Sequence, residues 1–244
     1  MAEIIYSLKR VSYNYMESMP VLSNIDLSIV RGEKLVILGA NGCGKSTLLK
    51  LLDGLIFPAG GEMKTFQHII SELDPYSTGY EFRKKIGFIF QDSDTQLFCP
   101  SVLDEVAFAP LQMGLERDVL EKKVAATLKD FELEELSDRP PYRLSGGEKK
   151  KVALAAVTIY NPEVLLLDEP TNSLDPRTKK WLLNRLEEIN QKGTTIVMAT
   201  HDLDIGRNFA DRIVVMNEQH GIEAIARPEE IFANNRLLAE VNLI

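Results

Sequence analysis

The sequence predicts an α/β fold: a mostly parallel sheet covered by helices, with an antiparallel β edge at its start and a helical block inserted in its middle. Three observations predict it. Short apolar runs of strand length alternate with amphipathic stretches through most of the 244 residues, the order expected of a sheet wrapped by helices. Four of those runs, KIGFIF (85–90), EVLLLD (163–168), TTIVMAT (194–200) and RIVVM (212–216), are apolar without alternation, as strands buried on both faces are. Between about 92 and 162 the strand pattern gives way to helical spacing. A chain of this length buries roughly three quarters of its unfolded surface and needs no cross-links.

The opening segment, EIIYSLKRVSYNY and VLSNIDLSIV within residues 3–30, alternates apolar and polar positions and reads as the antiparallel edge. KLVILG (34–39) is the first central strand. A helical stretch, STLLKLLDGL, follows it closely. In the inserted block, Leu115, Val119, Leu120, Val124, Leu128 and Phe131 recur at three- and four-residue spacing, one face of a helix. A second helix starts after Ser145, placed three residues before Glu148 as in a capping box. Asp175-Pro176 starts another, as N-cap and first-turn proline. The tail, 227–244, is expected to pack as a helix on the core.

Composition narrows the function classes. With 28 basic and 36 acidic side chains the net charge is −8, which argues against wholesale binding to nucleic acid or anionic lipid. Lys149, Lys150 and Lys151, at a helix start, predict a solvated face. Cys43 and Cys99 are too few for a disulfide framework and suit a reducing cytosol. The start, MAEIIYSLKR, lacks the basic-then-apolar pattern of a secretory signal. No apolar run approaches the ~20 residues that cross a bilayer, so any membrane role needs a spanning partner.

The strongest local signal is GANGCGKST, residues 39–47, lying between the strand KLVIL and a helix. It fits the phosphate-loop pattern G-x-x-x-x-G-K-[ST] at every position. Gly39, Gly42 and Gly44 let the backbone turn tightly and aim N–H groups at phosphate oxygens, and the helix start adds its positive end. Asn41, Cys43 and Thr47 belong to the same nucleotide-binding stretch, with Cys43 at a variable position. Lys45 is placed to reach the terminal phosphates and Ser46 to hold Mg²⁺ through its hydroxyl. These residues describe a P-loop NTPase of the RecA-like kind.

EVLLLDEP ends an apolar strand in two acids. Asp168 emerges at the carboxyl edge of the sheet, where ligands bind, and can join the Mg²⁺ shell. Glu169, on the neighbouring side, is positioned to orient or deprotonate the attacking water. His201 follows another buried strand and is expected at the same edge, near the γ-phosphate. His68 and His220 lack such context and are expected at the surface.

LSGGE, 144–148, sets a serine and two glycines at a helix N-terminus, a second anion site about a hundred residues after Lys45. A head-to-tail pair reconciles two phosphate sites with one nucleotide: Ser145, Gly146 and Gly147 of one copy close over the ATP of the other.

With LSGGE in place, residues 4–226 resemble the ATPase subunits of ABC transporters. The resemblance implies ATP and Mg²⁺ as cofactors, with Lys45, Gln91, Glu169 and His201 in catalysis and Ser46, Gln91 and Asp168 around the metal. It divides the chain into a first part of the ATP-binding core (1–91), a helical subdomain (92–162) and a second part of the core (163–244). Tyr15 is similar to the aromatic residue that stacks on adenine, with Tyr13 as the alternative in VSYNY. Gln91, ending KIGFIFQ, resembles the glutamine that touches Mg²⁺ or water and hinges the helical block. NSLD (172–175) resembles the loop that sets Asp175 at the dimer interface.

QDSDTQLFCPSVLDEVAFAPLQMGL is similar to the energy-coupling-factor ATPases of the CbiO type, with Ser93 where proline is usual. That implies a homodimer or pseudo-symmetric heterodimer on the cytoplasmic face of the membrane. Its partners would be a transmembrane coupling protein and a substrate-binding membrane protein, with no nucleic acid. Cobalt or nickel is the expected cargo, since the chain lacks the longer C-terminal extension of many vitamin-system relatives; a vitamin such as biotin is the alternative. Chromosome-maintenance ATPases share the motifs but carry a long coiled coil, and no sustained heptads occur here. A regulatory switch without transport would not need the full hydrolytic set, and translation-factor relatives usually hold two such domains.

Overall fold

The computed structural model describes residues 3–16 and 19–244; Met1 and Ala2 of the opening segment lie outside the described residues. In chain order the strands are β1 (Ile4–Met16), β2 (Met19–Val30), β3 (Lys34–Leu38), β4 (Gly60–Thr65), β5 (His68–Ile69), β6 (Ile86–Ile89), β7 (Val164–Asp168), β8 (Thr195–Thr200), β9 (Arg212–Met216) and β10 (Ile222–Ala226). The helices are α1 (Lys45–Leu52), α2 (Pro75–Thr78), α3 (Tyr80–Arg83), α4 (Val102–Gln112), α5 (Arg117–Asp130), α6 (Gly146–Thr158), α7 (Pro176–Gln191), α8 (Leu203–Phe209), α9 (Pro228–Ala233) and α10 (Asn235–Glu240).

Two sheets form. One has the order β2-β1-β4-β5 with antiparallel pairing; the other has the order β10-β9-β3-β8-β7-β6. In the second, β9, β3, β8, β7 and β6 run parallel, and only β10 is antiparallel. The parallel strands lie where the unalternating apolar runs predict them, within one residue at either end. Every residue of β6, β7 and β8 is buried, which is why their sequences need no polar face.

The sheet separates two cores. Successive residues of β3 go to opposite sides: Val36 and Leu38 pack with α5, α6 and α7, while Leu35 and Ile37 pack with α1 and the antiparallel sheet. The sequence reading did not name β4, β5, β10 or α4. The tail forms two short helices rather than one. Asn234 interrupts it with a non-helical backbone, and its side chain accepts a 3.0 Å bond from the Leu237 amide to cap α10.

The three consecutive lysines of α6 are not a solvated face. Successive helical positions point about 100° apart, and here each meets a different neighbour. Lys149 pairs with Asp94. Lys151 bonds Glu132 at 2.7 Å and lies over the Trp181 ring. Lys150 is buried, which brings its ammonium down to about 8 against the opposing pull of Asp92 and Asp168.

At the far end of α1, buried Asp53 meets Arg83, whose guanidinium donates to the Asp53 carbonyl at 2.7 Å and to its carboxylate at 3.2 Å. Burial nevertheless pushes the Asp53 carboxyl up to about 7. The folded chain therefore holds this proton more tightly than the unfolded chain. Its contribution to stability falls as pH rises from the ordinary carboxylate range to about 7, and is flat above that. Urea unfolding of the native chain and of Asp53→Asn, at about pH 5 and about pH 8, checks this. The stability gap between them should move in the variant's favour at the higher pH; a constant gap would remove Asp53 as a titrating group.

Candidate functional site

The site is built at the carboxyl edge of the parallel sheet. β3 ends at Leu38, and the chain crosses the glycine-rich loop into α1. Gly44, at the N-cap of α1, has φ 111°, and a Cβ there would lie 2.5 Å from the Val21 carbonyl oxygen. Only glycine fits both demands. Among the described residues no side chain caps the first turn of α1, so its N–H groups remain available to an anion. Lys45 is buried and folds back over the loop, donating to the Gly39 carbonyl at 2.8 Å and the Ala40 carbonyl at 3.1 Å.

β7 delivers the two acids. Asp168 is buried, and its Oδ1 has no hydrogen-bond partner among the described residues. Burial lifts its carboxyl above the ordinary range, with Glu169 adding to the rise, against the Ser46 hydroxyl and the Lys45 ammonium. An orphaned carboxylate oxygen beside a hydroxyl is the donor set a hard divalent cation takes. Among the described residues no three acidic, histidine or cysteine side chains converge as a metal cage, so such a cation would draw its other ligands from phosphate and water.

Glu169 is 7% exposed and has φ 43°, a left-handed backbone uncommon for a non-glycine residue and one that stores strain at functional sites. Its carboxylate is held from two sides. Thr200 donates to Oε2 at 3.1 Å, and His201 Nδ1 lies 2.9 Å from Oε1. The pair is a base with an orienting partner, open to the cavity.

A cavity of about 350 Å³ joins these parts. Asn41, Gly42, Gly44, Lys45, Ser46, Thr47, Gln91, Asp168, Glu169 and His201 line it, together with Val21 and Asn172, which the sequence reading did not single out. Asn172 is the first residue of the NSLD run, three positions after Glu169, and that closeness to the acid pair is the signal that could have found it. Gly39 and Cys43 do not line the cavity; Gly39 supplies a carbonyl to Lys45, and the Cys43 side chain is buried. Tyr15 stands beside it, 52% exposed, its hydroxyl 3.4 Å from Thr47 Oγ1 and Tyr13 edge-on at 5.1 Å.

His220 departs from the expectation of a free surface residue. Its backbone is left-handed, at φ 65°, and its Nδ1 lies 3.3 Å from the Cys43 carbonyl oxygen, bracing the phosphate loop from behind. The contact is set by the turn between β9 and β10, which local sequence does not reveal. His68 is exposed and stacks on Tyr76 at 3.7 Å.

Ser145, Gly146, Gly147 and Asp175 lie outside this cavity. Ser145 caps α6 in a full capping box, with the Glu148 carboxylate accepting from the Ser145 amide and hydroxyl at 2.7 Å each. A Cβ on Gly146 would meet nothing within 4 Å, whereas one on Gly147 would press on Thr178. Asp175 caps α7, accepting from the Arg177 and Thr178 amides at 2.9 and 3.1 Å. A second cavity, of about 520 Å³, lies between this region and the segment after Gln91; Gln91 and Asn172 border both cavities.

Residues 22–172 match the family profile described as ABC transporter. A Caldanaerobacter subterraneus protein described as an ABC transporter ATP-binding protein is 57% identical over 240 residues, 98% of this chain and 99% of that one. The nickel import ATP-binding protein NikO of Rhodobacter capsulatus is 43% identical, covering 98% and 95%. Among solved structures, cbiO1 of Clostridium perfringens, part of the ABC transporter complex cbiONQ, superposes with a TM-score of 0.85 at 38% identity, covering 99% and 95%. The dimeric post-hydrolysis ATP-binding cassette MJ0796, bound to ADP and phosphate, superposes with a TM-score of 0.81 at 30% identity, covering 92% and 99%.

Proposed function

The chain belongs to the ABC transporter family, whose ATP-binding subunits are the ATPases of those transporters, and from that premise we propose that it powers an energy-coupling-factor importer of nickel or cobalt ions. The observation that carries the catalytic half is the Glu169 carboxylate, held by His201 and Thr200 at the wall of the phosphate-loop cavity. Cargo rests on the energy-coupling-factor motif at 91–98 and on the likeness to NikO and cbiO1.

The phosphate loop amides and Lys45 bind the triphosphate, and Tyr15 offers its ring to adenine. Ser46, Gln91 and Asp168 would hold Mg²⁺, which would supply charge neutralisation of the phosphates. Glu169 accepts the proton of the attacking water. His201 orients that carboxylate and offers its remaining ring nitrogen to the γ-phosphate.

The α6 N-terminus lies outside its own chain's cavity, and Gly146 presents an open face. This supports the reading that Ser145, Gly146 and Gly147 complete the site of a second copy, with Asp175 at the interface. A homodimer then holds two shared sites, and hydrolysis removes the bridge between copies. The dimeric likeness of the MJ0796 cassette supports the same reading.

Among the described residues no helix is long and apolar enough to cross a membrane. Membrane proteins would supply the translocation path, with this chain seated on their cytoplasmic face. The test is uptake by proteoliposomes holding the chain with its copurified membrane complex. ATP-dependent accumulation of nickel or cobalt, abolished without ATP, is the expected result. Accumulation of biotin and not of metal would move the chain to the vitamin importers.

A further inference from the structure

The segment after β6 is fixed at several points. Gln96 folds back on the end of β6: its carbonyl accepts from the Phe90 amide at 3.1 Å, and its amide donates to the Phe88 carbonyl at 2.9 Å. Buried Glu105, on α4, accepts from the Phe98 and Cys99 amides at 2.9 and 2.7 Å. Asp94 pairs with Lys149 of α6.

Lys150 makes a different kind of contact. It is 5% exposed, and no carboxylate lies within 4.0 Å of its ammonium among the described residues. That ammonium instead lies 3.4 Å from the Phe90 carbonyl and 3.4 Å from the Gln91 carbonyl. These two carbonyls belong to the two peptide units that flank the Gln91 Cα. Rotation of either unit changes where the Gln91 side chain points. One cation bonded to both therefore fixes that direction, and ties it to the helix capped by Ser145.

We propose that Lys150 is a positioning residue for hydrolysis: it aims the Gln91 side chain into the phosphate-loop cavity and makes Gln91 move with the Ser145 end of α6. The inference rests on the reading that Gln91 acts in hydrolysis. A buried ammonium suits the task because it carries three donors, and the pull of Asp92 and Asp168 leaves part of its desolvation to be offset by the two carbonyls that face it. Movement of the Gln91 main chain away from α6 would strand the charge, so the two elements are held together.

The test is steady-state ATP hydrolysis by the full chain carrying Lys150→Met, Gln91→Ala or both. Lys150→Met should lower kcat about tenfold while KM for ATP stays within about twofold. Gln91→Ala should lower kcat by a similar factor, and the double variant should be no slower than Gln91→Ala alone. Lys150→Gln, which keeps amide donors at one bond less reach, should recover part of the loss, and carries the same cycle if the methionine variant does not stay folded.

Losses that multiply in the double variant would overturn the inference, because Lys150 would then act independently of Gln91. A native kcat for Lys150→Met, with Gln91→Ala impaired, would overturn it while leaving the Gln91 reading intact. A native kcat for Gln91→Ala would overturn both.

Discussion

Changing Glu169 to Gln should slow ATP hydrolysis by about a hundred- to ten-thousand-fold, the range that a positioned general base supplies, while ATP affinity stays within about twofold. The two side chains have the same shape, so the cavity is preserved. What disappears is the acceptor of the water's proton. An amide offers one acceptor oxygen where the carboxylate offers two, so either Thr200 or His201 then faces an NH2 group. Binding should survive because no phosphate ligand is removed: the loop amides, Lys45 and Ser46 are untouched. Phosphate-release kinetics and calorimetric titration with ATP separate the two quantities. With hydrolysis blocked, gel filtration in ATP should show a lasting dimer. A monomer at saturating ATP would count against the shared site, and near-native turnover would take Glu169 out of its role.

Changing Lys45 to Ala should weaken ATP binding about ten- to a hundredfold, as expected for loss of charged hydrogen bonds to the phosphates. The structure adds a second reason. The Lys45 ammonium already binds the Gly39 and Ala40 carbonyls at 2.8 and 3.1 Å, so it ties the start of the loop to α1. Alanine leaves both carbonyls without that donor and loosens the cradle before any nucleotide arrives. Titration with ATP gives the affinity, and thermal unfolding without nucleotide reports the loop's own loss. Unchanged affinity would remove Lys45 from phosphate binding.

The parallel sheet was legible because each strand writes its burial into its own residues. LLL at 165–167 has no polar face to hide, and the structure buries it on both sides. The phosphate cradle was legible for a similar reason, since its amides, glycines and lysine are consecutive. The antiparallel strands β4 and β5 were not. GGEMKT and HI carry little apolar signal; β4 is held by β1, far away in sequence, and β5 by β4. Lys150 and His220 share that difficulty. A lysine in a run of three gives no hint that two carbonyls of a distant segment await it. The role of His220 is set by which turn packs behind the loop.

The alternation of β3 between two cores also makes that strand a phase reference for the phosphate loop beyond it. One residue inserted ahead of Gly39 would exchange the layers to which Leu35, Val36, Ile37 and Leu38 belong. If the strand kept its place instead, the loop would take up the shift and the Gly39 carbonyl would move away from Lys45. A change of length is therefore least tolerable within this strand and at its junction with the loop, because the chemistry downstream reads the parity of the strand.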